Sequence, residues 1–147
     1  MAYQYKFDRV MSIKENEKDR LRAEYSEAVQ QFEKVGQQLY EYLKQKENLI
    51  DEHAKKMQAG LSITDIKQFQ LFVANLEKVI AVYQQKVMSA RQTMQLAELK
   101  LRDKNMEVKK FEKMKVKDFQ RYKETQKELE SKQMDEVSIQ QYMLKGN

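Results

Sequence analysis

The chain has 147 residues, which include three Gly, no Pro, no Cys and no Trp, and its formal net charge is +5. Gly and Pro most often interrupt helices and form turns, so this composition predicts long helices with very few breaks. The lack of cysteine excludes disulfides and thiolate metal sites. Because no stretch is apolar enough for a membrane-spanning helix, we expect a soluble cytoplasmic protein without direct membrane insertion.

The first predicted element is a helix from about residue 5 to about residue 58. Its apolar residues recur at alternating spacings of three and four, which is the seam pattern of a left-handed coiled coil. Lys46 is the residue that interrupts this seam. The apolar seam positions are Leu21, Tyr25, Ala28, Phe32, Val35, Leu39, Tyr42 and Leu49.

A single turn is predicted at about residues 59–63. Gly60 follows the helical pattern, and glycine ends a helix readily because it adopts the left-handed conformation without a steric penalty. Ser62 has the character of an N-cap, since its hydroxyl can accept a hydrogen bond from a free backbone N–H, and Asp65 three residues later is its partner in a motif similar to a capping box. A second helix is therefore expected to begin just after this serine.

The second predicted helix spans about residues 64–143 and carries the same seam. Lys104 is out of pattern, and Lys115 and Asp118 occupy later seam positions where the apolar pattern thins. The seam residues before that point are Phe69, Val73, Leu76, Ile80, Tyr83, Val87, Ala90, Met94, Ala97, Leu101, Val108 and Phe111. At about 1.5 Å per residue, the first helix would be about 80 Å long and the second about 120 Å.

These elements predict an all-α fold, a long antiparallel two-helix coiled-coil hairpin in which the second helix is longer and overhangs the first. Residues 1–147 would form a single elongated coiled-coil domain. A parallel homodimer of one continuous helix is the competing arrangement, but a short turn holds the two helices at an effective concentration of about millimolar. Weak self-association of the free hairpin stays open.

The sequence contains no constellation that predicts catalysis. It has no cysteine nucleophile, no glycine-rich phosphate loop and no spacing typical of zinc ligands. His53 is the single histidine, and a metal site needs several convergent ligands. We therefore expect a protein that is not an enzyme and that uses no cofactor and no metal.

One part of the second helix is basic. Residues 100–132 contain 12 Lys and Arg against 7 Asp and Glu, which is typical of a surface for nucleic acid, anionic lipid or an acidic protein. The aromatic residues in this stretch are Phe111, Phe119 and Tyr122, and the interleaved acids include Glu112, Asp118 and Glu124. Such mixing indicates a solvated helix face held by i,i+4 ion pairs, so no nucleic-acid partner is expected.

Near its start, the second helix is apolar around more of its circumference than one partner helix can cover. Tyr40, Tyr42 and Tyr83 add side chains that are favoured at interfaces. The residues of the wide apolar stripe are Phe69, Leu71, Phe72, Val73, Val79 and Val82. Surplus apolar surface on a two-helix protein predicts a further protein partner.

Three stretches, spread over nearly the whole chain, resemble the flagellar export protein family FliJ. They are Phe7-x-x-Val10-Met11-x-Ile13-Lys14-x-x-Glu17, Phe72-x-x-x-Leu76-Glu77-Lys78-x-Ile80 and Lys132-x-Met134-Asp135-Glu136. The resemblance implies a soluble component of the bacterial flagellar type III export apparatus, with a two-helix coiled coil similar to the stalk of rotary ATPases. It would lie at the flagellar base, peripheral to the inner face of the cell membrane.

The resemblance also implies partners and site residues. The partners would be the hexameric export ATPase FliI, whose assembly the protein would promote, the export-gate protein FlhA and the export chaperones. The gate-facing residues would be Gln38, Tyr42, Phe72, Leu76, Val79 and Tyr83. The ring-facing residues would be Phe7, Val10, Leu129, Met134, Asp135 and Glu136. The alternatives are a generic coiled-coil chaperone or scaffold adapter and, less favoured, a nucleic-acid-binding rod.

Overall fold

The computed structural model describes residues 2–146, and nearly all of them belong to two helices. Helix α1 comprises Asp8–Ala59 and helix α2 comprises Ile63–Lys145, so the helices have 52 and 83 residues. No strand occurs between residues 2 and 146. The predicted all-α hairpin with a longer second helix is confirmed.

The turn between the helices has the predicted chemistry. Gly60 adopts a φ of 93°, which is the left-handed conformation that favours glycine. Its N–H donates to the carbonyl of Met57 at 3.2 Å, which satisfies one of the carbonyls at the end of α1. The Ser62 hydroxyl then accepts a hydrogen bond from the N–H of Asp65 at 3.2 Å, so Ser62 caps α2.

The chain groups into two compact units, each of which contains part of α1 and part of α2. The turn unit is Arg20–Arg102, and the terminal unit is Met1–Asp19 together with Asp103–Asn147. The single elongated domain expected from the sequence stays a prediction.

The helices of the turn unit are antiparallel. The Arg91 guanidinium lies 5.6 Å from the ring centre of Phe32, and the rings of Tyr42 and Tyr83 are 5.0 Å apart. Residue numbers on α2 therefore fall as those on α1 rise. Further contacts in the same sense join Lys46 to Glu77 and His53 to Phe69. The buried residues of this unit are Leu21, Ala28, Val35 and Ile80, and all four are predicted seam positions.

The terminal unit shows the same antiparallel pairing. Asp8 lies 3.0 Å from Lys115, and Glu17 lies 2.7 Å from Lys104, measured between the charged side-chain atoms. Val108 is 1% exposed and forms the centre of this unit. The seam that the sequence predicts thus continues into the terminal unit, with charged pairs on either side of the buried valine.

Each polar residue that interrupts the predicted seam has a partner in the structure. Lys104 forms ion pairs with Glu17 at 2.7 Å and with Glu107 at 3.2 Å. The hydrogen bond to Glu17 raises the pKa of Lys104, and the hydrogen bond from Lys104 lowers the pKa of Glu107. The remaining pairs are Lys46 with Glu77, Lys115 with Asp8, and Asp118 with the hydroxyl of Tyr3.

Helix α1 begins at Asp8, which is three residues later than the predicted start near residue 5. Residues 2–7, which we call the N-terminal segment, precede α1 and form no helix. The Tyr3 ring packs 4.9 Å from Phe119 and 5.1 Å from Tyr122, and Tyr5 is 4% exposed. Aromatic packing by this non-helical segment replaces the helical turn expected there.

The last part of α2 is covered by no other element of the terminal unit. Every residue from 127 to 146 is exposed, and we call residues 127–145 the C-terminal segment. No helix in the described residues has a stretch apolar enough to cross a lipid bilayer.

Candidate protein-binding surfaces

A shallow groove in the turn unit collects part of the predicted gate-facing set. Phe72 is 64% exposed at its rim, whereas Leu76 and Val79 are half-buried in its wall. The groove has a volume of about 330 Å³ and is completed by Gln45, Leu49 and Asn75. Leu76 is also a seam residue, so its side chain serves both the packing of the helices and the wall of the groove.

The other predicted gate-facing residues lie around a second hollow of the turn unit. Gln38 and Tyr83 line it together with Lys34 and Lys86. Lys86 Nζ lies 4.6 Å from the centre of the Tyr83 ring, and this ring packs against Tyr42. The aromatic pair is thus half-buried between the helices, with a cation over one of its rings.

The two hollows open on the same side of the turn unit. Residues seven apart lie within about 20° of each other on a helix. Gln38 and Gln45 on α1 are separated by seven residues, as are Phe72, Val79 and Lys86 on α2. The structure therefore brings five of the six predicted gate-facing residues to one side, which we call the groove side, and Tyr42 lines neither hollow but packs against Tyr83.

Sequence reasoning missed three residues of this groove, Gln45, Leu49 and Asn75. A signal for two of them was present. Gln45 is one heptad beyond Gln38, and Asn75 follows Phe72 by three residues, which is the spacing of neighbours on a helix face. The sequence pattern assigns Leu49 only to the seam.

The predicted ring-facing residues fall into two groups within the terminal unit. Phe7 and Val10 are only partly exposed, and the Phe7 ring packs 5.8 Å from Tyr5 and 6.5 Å from Phe111. The second group lies on the C-terminal segment, where every side chain faces solvent. Its members are Leu129, Met134, Asp135 and Glu136.

Phe7 therefore belongs to an aromatic cluster that is already packed, whereas Val10 is 40% exposed. Phe7 lies beside Lys6, whose Nζ is 5.6 Å from the ring centre. The Tyr3 hydroxyl donates a hydrogen bond to Asp118 in the same unit. Burial raises the pKa of Tyr3 to about 12, and the hydrogen bond to Asp118 is the second cause of this increase. The C-terminal segment is the part of the predicted set that is open to a partner.

His53 lies at the edge of the seam near the turn. Its ring stacks on Phe69 with centroids 3.5 Å apart and planes inclined by 1°. Glu52 and Asp65 line the hollow beside it. Nevertheless, residues 2–146 contain no group of three or more His, Cys, Asp and Glu side chains arranged to hold a metal ion.

Two comparisons with known proteins indicate the same family. The protein-family model described as "Flagellar FliJ protein" matches residues 3–147. The "Flagellar FliJ protein" of Bacillus subtilis (strain 168) is 42% identical over 147 residues, which is 100% of both chains. No solved structure gives a significant match. With a match over almost its whole length and a relative of the same length, the chain belongs to the flagellar FliJ protein family.

Proposed function

We propose that the protein is a stalk-like component of the flagellar type III export apparatus that binds the export ATPase FliI and promotes the assembly and activity of its hexamer. Through other surfaces it contacts the export gate FlhA and the substrate chaperones, at the inner face of the cell membrane. Family membership supports a role in flagellar export. The observation that carries the ATPase contact is the exposed C-terminal segment.

The C-terminal segment presents apolar side chains in more than one direction. Val137 and Leu144 are seven residues apart and share a face, but Tyr142 is rotated by about 200° from Leu144. Tyr142 and Leu144 are among the most exposed apolar residues of the protein. A flat partner would cover only one of these faces. A segment enclosed by several subunits, as in a ring, would have both covered.

The groove side of the turn unit supports a second, separate contact for the gate. Phe72 is a large apolar side chain that the hairpin leaves open, next to the half-buried Val79. Aromatic anchors beside a shallow apolar groove are typical of the energetic centre of a protein interface. One protein could therefore hold the ATPase by its C-terminal segment and the gate by its groove side.

An asymmetric helix pair cannot make identical contacts with six identical subunits. Because a ligand shifts the conformational equilibrium of a protein by its differential affinity for the states, such a stalk would favour different states in different subunits. The stalk itself would carry no nucleotide chemistry. It would couple nucleotide turnover in the ring to the gate by the contacts at its two surfaces.

The test is ATP hydrolysis by the cognate export ATPase, with and without this protein, together with the size of the ATPase assembly. We expect faster turnover and a shift towards hexamers. A variant with Leu129→Ser and Met134→Ser should lose this stimulation. The matched control is Leu96→Ser with Met88→Ser, which changes the same residue types at similar exposure in the turn unit.

Equal loss of stimulation in both double variants would contradict a role for the C-terminal segment. No stimulation by the wild-type protein at any salt or protein concentration, with helicity intact, would contradict the stalk function. The alternative, a coiled-coil chaperone or scaffold adapter, would then be favoured, because it needs the groove side but no ATPase.

A further inference from the structure

The outward side of α2 in the terminal unit is more basic than its sequence suggests. Two of the acids that interrupt the lysines are turned towards α1 and the N-terminal segment. Asp118 accepts a hydrogen bond from the hydroxyl of Tyr3 at 2.8 Å, and Glu107 forms an ion pair with Lys14 at 3.3 Å. The charges of these two acids are therefore used inside the terminal unit, whereas Glu112 and Glu124 stay exposed, Glu124 beyond the last basic residue of this side.

Lys109, Lys113 and Lys117 follow one another at intervals of four residues and are all exposed. Successive members of this row are rotated by about 40°, so the row stays on the outward side of the helix. Their side chains form no ion pair with any residue from 2 to 146, and the i,i+4 pairs that the sequence predicted for this stretch are absent there. Unpaired lysines on one side form a surface for an anion.

Lys110 and Arg121 flank this row and are likewise exposed. We call the five residues Lys109, Lys110, Lys113, Lys117 and Arg121 the basic face. At about 1.5 Å per residue, the basic face is about 18 Å long.

An aliphatic side chain lies at the edge of the basic face, about 60° around the helix from Lys113. Val116 is 58% exposed and sits between Lys113 and Lys117, and Met106 precedes the face with an exposed side chain. The aromatic rings of the same stretch already pack against other rings of the terminal unit. Phe111 packs against Phe7, while Phe119 packs against the N-terminal segment.

We propose that the basic face rests on an anionic lipid surface. A row of lysines along one side of a helix matches the spread negative charge of a lipid leaflet, and each basic residue near such a surface strengthens binding. An exposed valine among lysines can enter the boundary between headgroups and acyl chains. Nucleic-acid sites instead favour arginine forks and free aromatic rings, and the basic face has one arginine and no free ring.

The contact supplies a physical basis for the location at the membrane that the proposed function includes. It does not involve the C-terminal segment or the groove side. A vesicle assay contains no export ATPase, so failure of lipid binding would not argue against the ATPase contact. Failure of ATPase stimulation would likewise not argue against the lipid contact.

The test is co-sedimentation of the full chain with vesicles of phosphatidylcholine alone or mixed with phosphatidylglycerol, at physiological ionic strength. We expect binding only to the mixed vesicles. The variant Lys109→Gln, Lys113→Gln, Lys117→Gln should bind about a hundredfold more weakly, at about fivefold per lysine. Far-UV circular dichroism establishes that the variant keeps the helicity of the wild type.

The matched control is Lys55→Gln, Lys56→Gln, Lys67→Gln, because these three lysines are exposed and their loss changes the net charge equally. It should bind as the wild type does. If both triple variants bound vesicles equally weakly, net charge alone would explain the effect and the proposal would be overturned. The proposal would also be overturned if the wild type bound equally well to vesicles with and without phosphatidylglycerol.

Two further measurements separate lipid from nucleic acid. Val116→Ser should weaken vesicle binding severalfold and leave its salt dependence unchanged, because it removes an apolar contact and no charge. Duplex DNA added as a competitor should release little protein from the vesicles. Full release by duplex at equal phosphate concentration, with no effect of Val116→Ser, would assign the basic face to nucleic acid and overturn the lipid contact.

Discussion

Replacing Phe72 with alanine should weaken gate binding while leaving the stability of the hairpin nearly unchanged. Phe72 is 64% exposed, so about a third of its surface is buried. Full burial of such a side chain stabilises a protein by about 1.5–3 kcal/mol, so the truncation removes about 0.5–1 kcal/mol. Alanine returns about 0.5 kcal/mol through its higher helix propensity. The net change in the free energy of unfolding should be at most about 0.5 kcal/mol.

Leu76→Ala is the informative comparison, because the sequence assigns both residues to the same surface. Leu76 is half-buried in the seam, and truncation of a fully buried leucine costs about 2–5 kcal/mol. We expect Leu76→Ala to lower the free energy of unfolding by about 1–2.5 kcal/mol. Its effect on gate binding will therefore include a loss of structure, whereas that of Phe72→Ala will not.

Gate affinity and stability should be measured on the same samples, by titration with FlhA and by urea unfolding followed by circular dichroism. Truncation of an aromatic interface anchor costs about 2 kcal/mol or more, which corresponds to about a thirtyfold weaker Kd. Tyr40→Ala is the control, because Tyr40 is 59% exposed and lies about 200° around α1 from Gln38, away from the groove side. It should bind FlhA as the wild type does.

Two results would refute this reasoning. An unchanged Kd for Phe72→Ala, together with a weaker Kd for Tyr40→Ala, would place the gate surface on the opposite side. The second result is a urea midpoint for Phe72→Ala as low as that for Leu76→Ala, with an unchanged slope of the free energy of unfolding against urea concentration. It would mean that the Phe72 side chain is packed in solution.

Two further predictions concern the turn and the N-terminal segment. Gly60→Ala should lower the free energy of unfolding by about 1–2 kcal/mol, because φ is 93° at this position. Gly36→Ala should raise it by about 1 kcal/mol, because Gly36 lies in mid-helix and an added Cβ would have no atom within 4 Å. Urea midpoints of the two variants that shift in the same direction would contradict this. The pKa of Tyr3 is raised from 10.0 to about 12, so the folded state holds this proton more tightly and stability is lost as pH rises from about 10 to 12. Tyr3→Phe should lose less stability than the wild type over that pH interval, and an identical loss would exclude Tyr3 as the cause.

Much of the fold follows from local signals in the sequence. A chain without proline and with one well-placed glycine has one position to turn, and Ser62 marks the start of the next helix. The spacing of apolar residues then identifies which side of each helix is buried. Val35, Ile80 and Val108 are seam residues in the sequence and are buried in the structure.

The partners of the polar seam residues could not be predicted, because they depend on the register of one helix against the other. Lys46 and Lys104 interrupt an otherwise apolar pattern in the sequence. Only the antiparallel register brings Glu77 to Lys46 and Glu17 to Lys104. A shift of one residue on either helix would rotate these acids by about 100° and leave the lysines without partners.

The surfaces left for partners follow from the same register. Where α1 and the N-terminal segment cover α2, Asp118 forms a hydrogen bond and Glu107 an ion pair inside the terminal unit, so two of the acids interleaved with the lysines do not neutralise the outward lysines. From residue 127 to residue 145, where no other described part of the terminal unit covers α2, apolar side chains such as Val137 stay exposed. The sequence shows charged and apolar residues mixed along one long helix. Pairing with a shorter helix is what separates them into a basic face and a C-terminal segment with exposed apolar side chains, and each of these can then recognise a partner of its own chemistry.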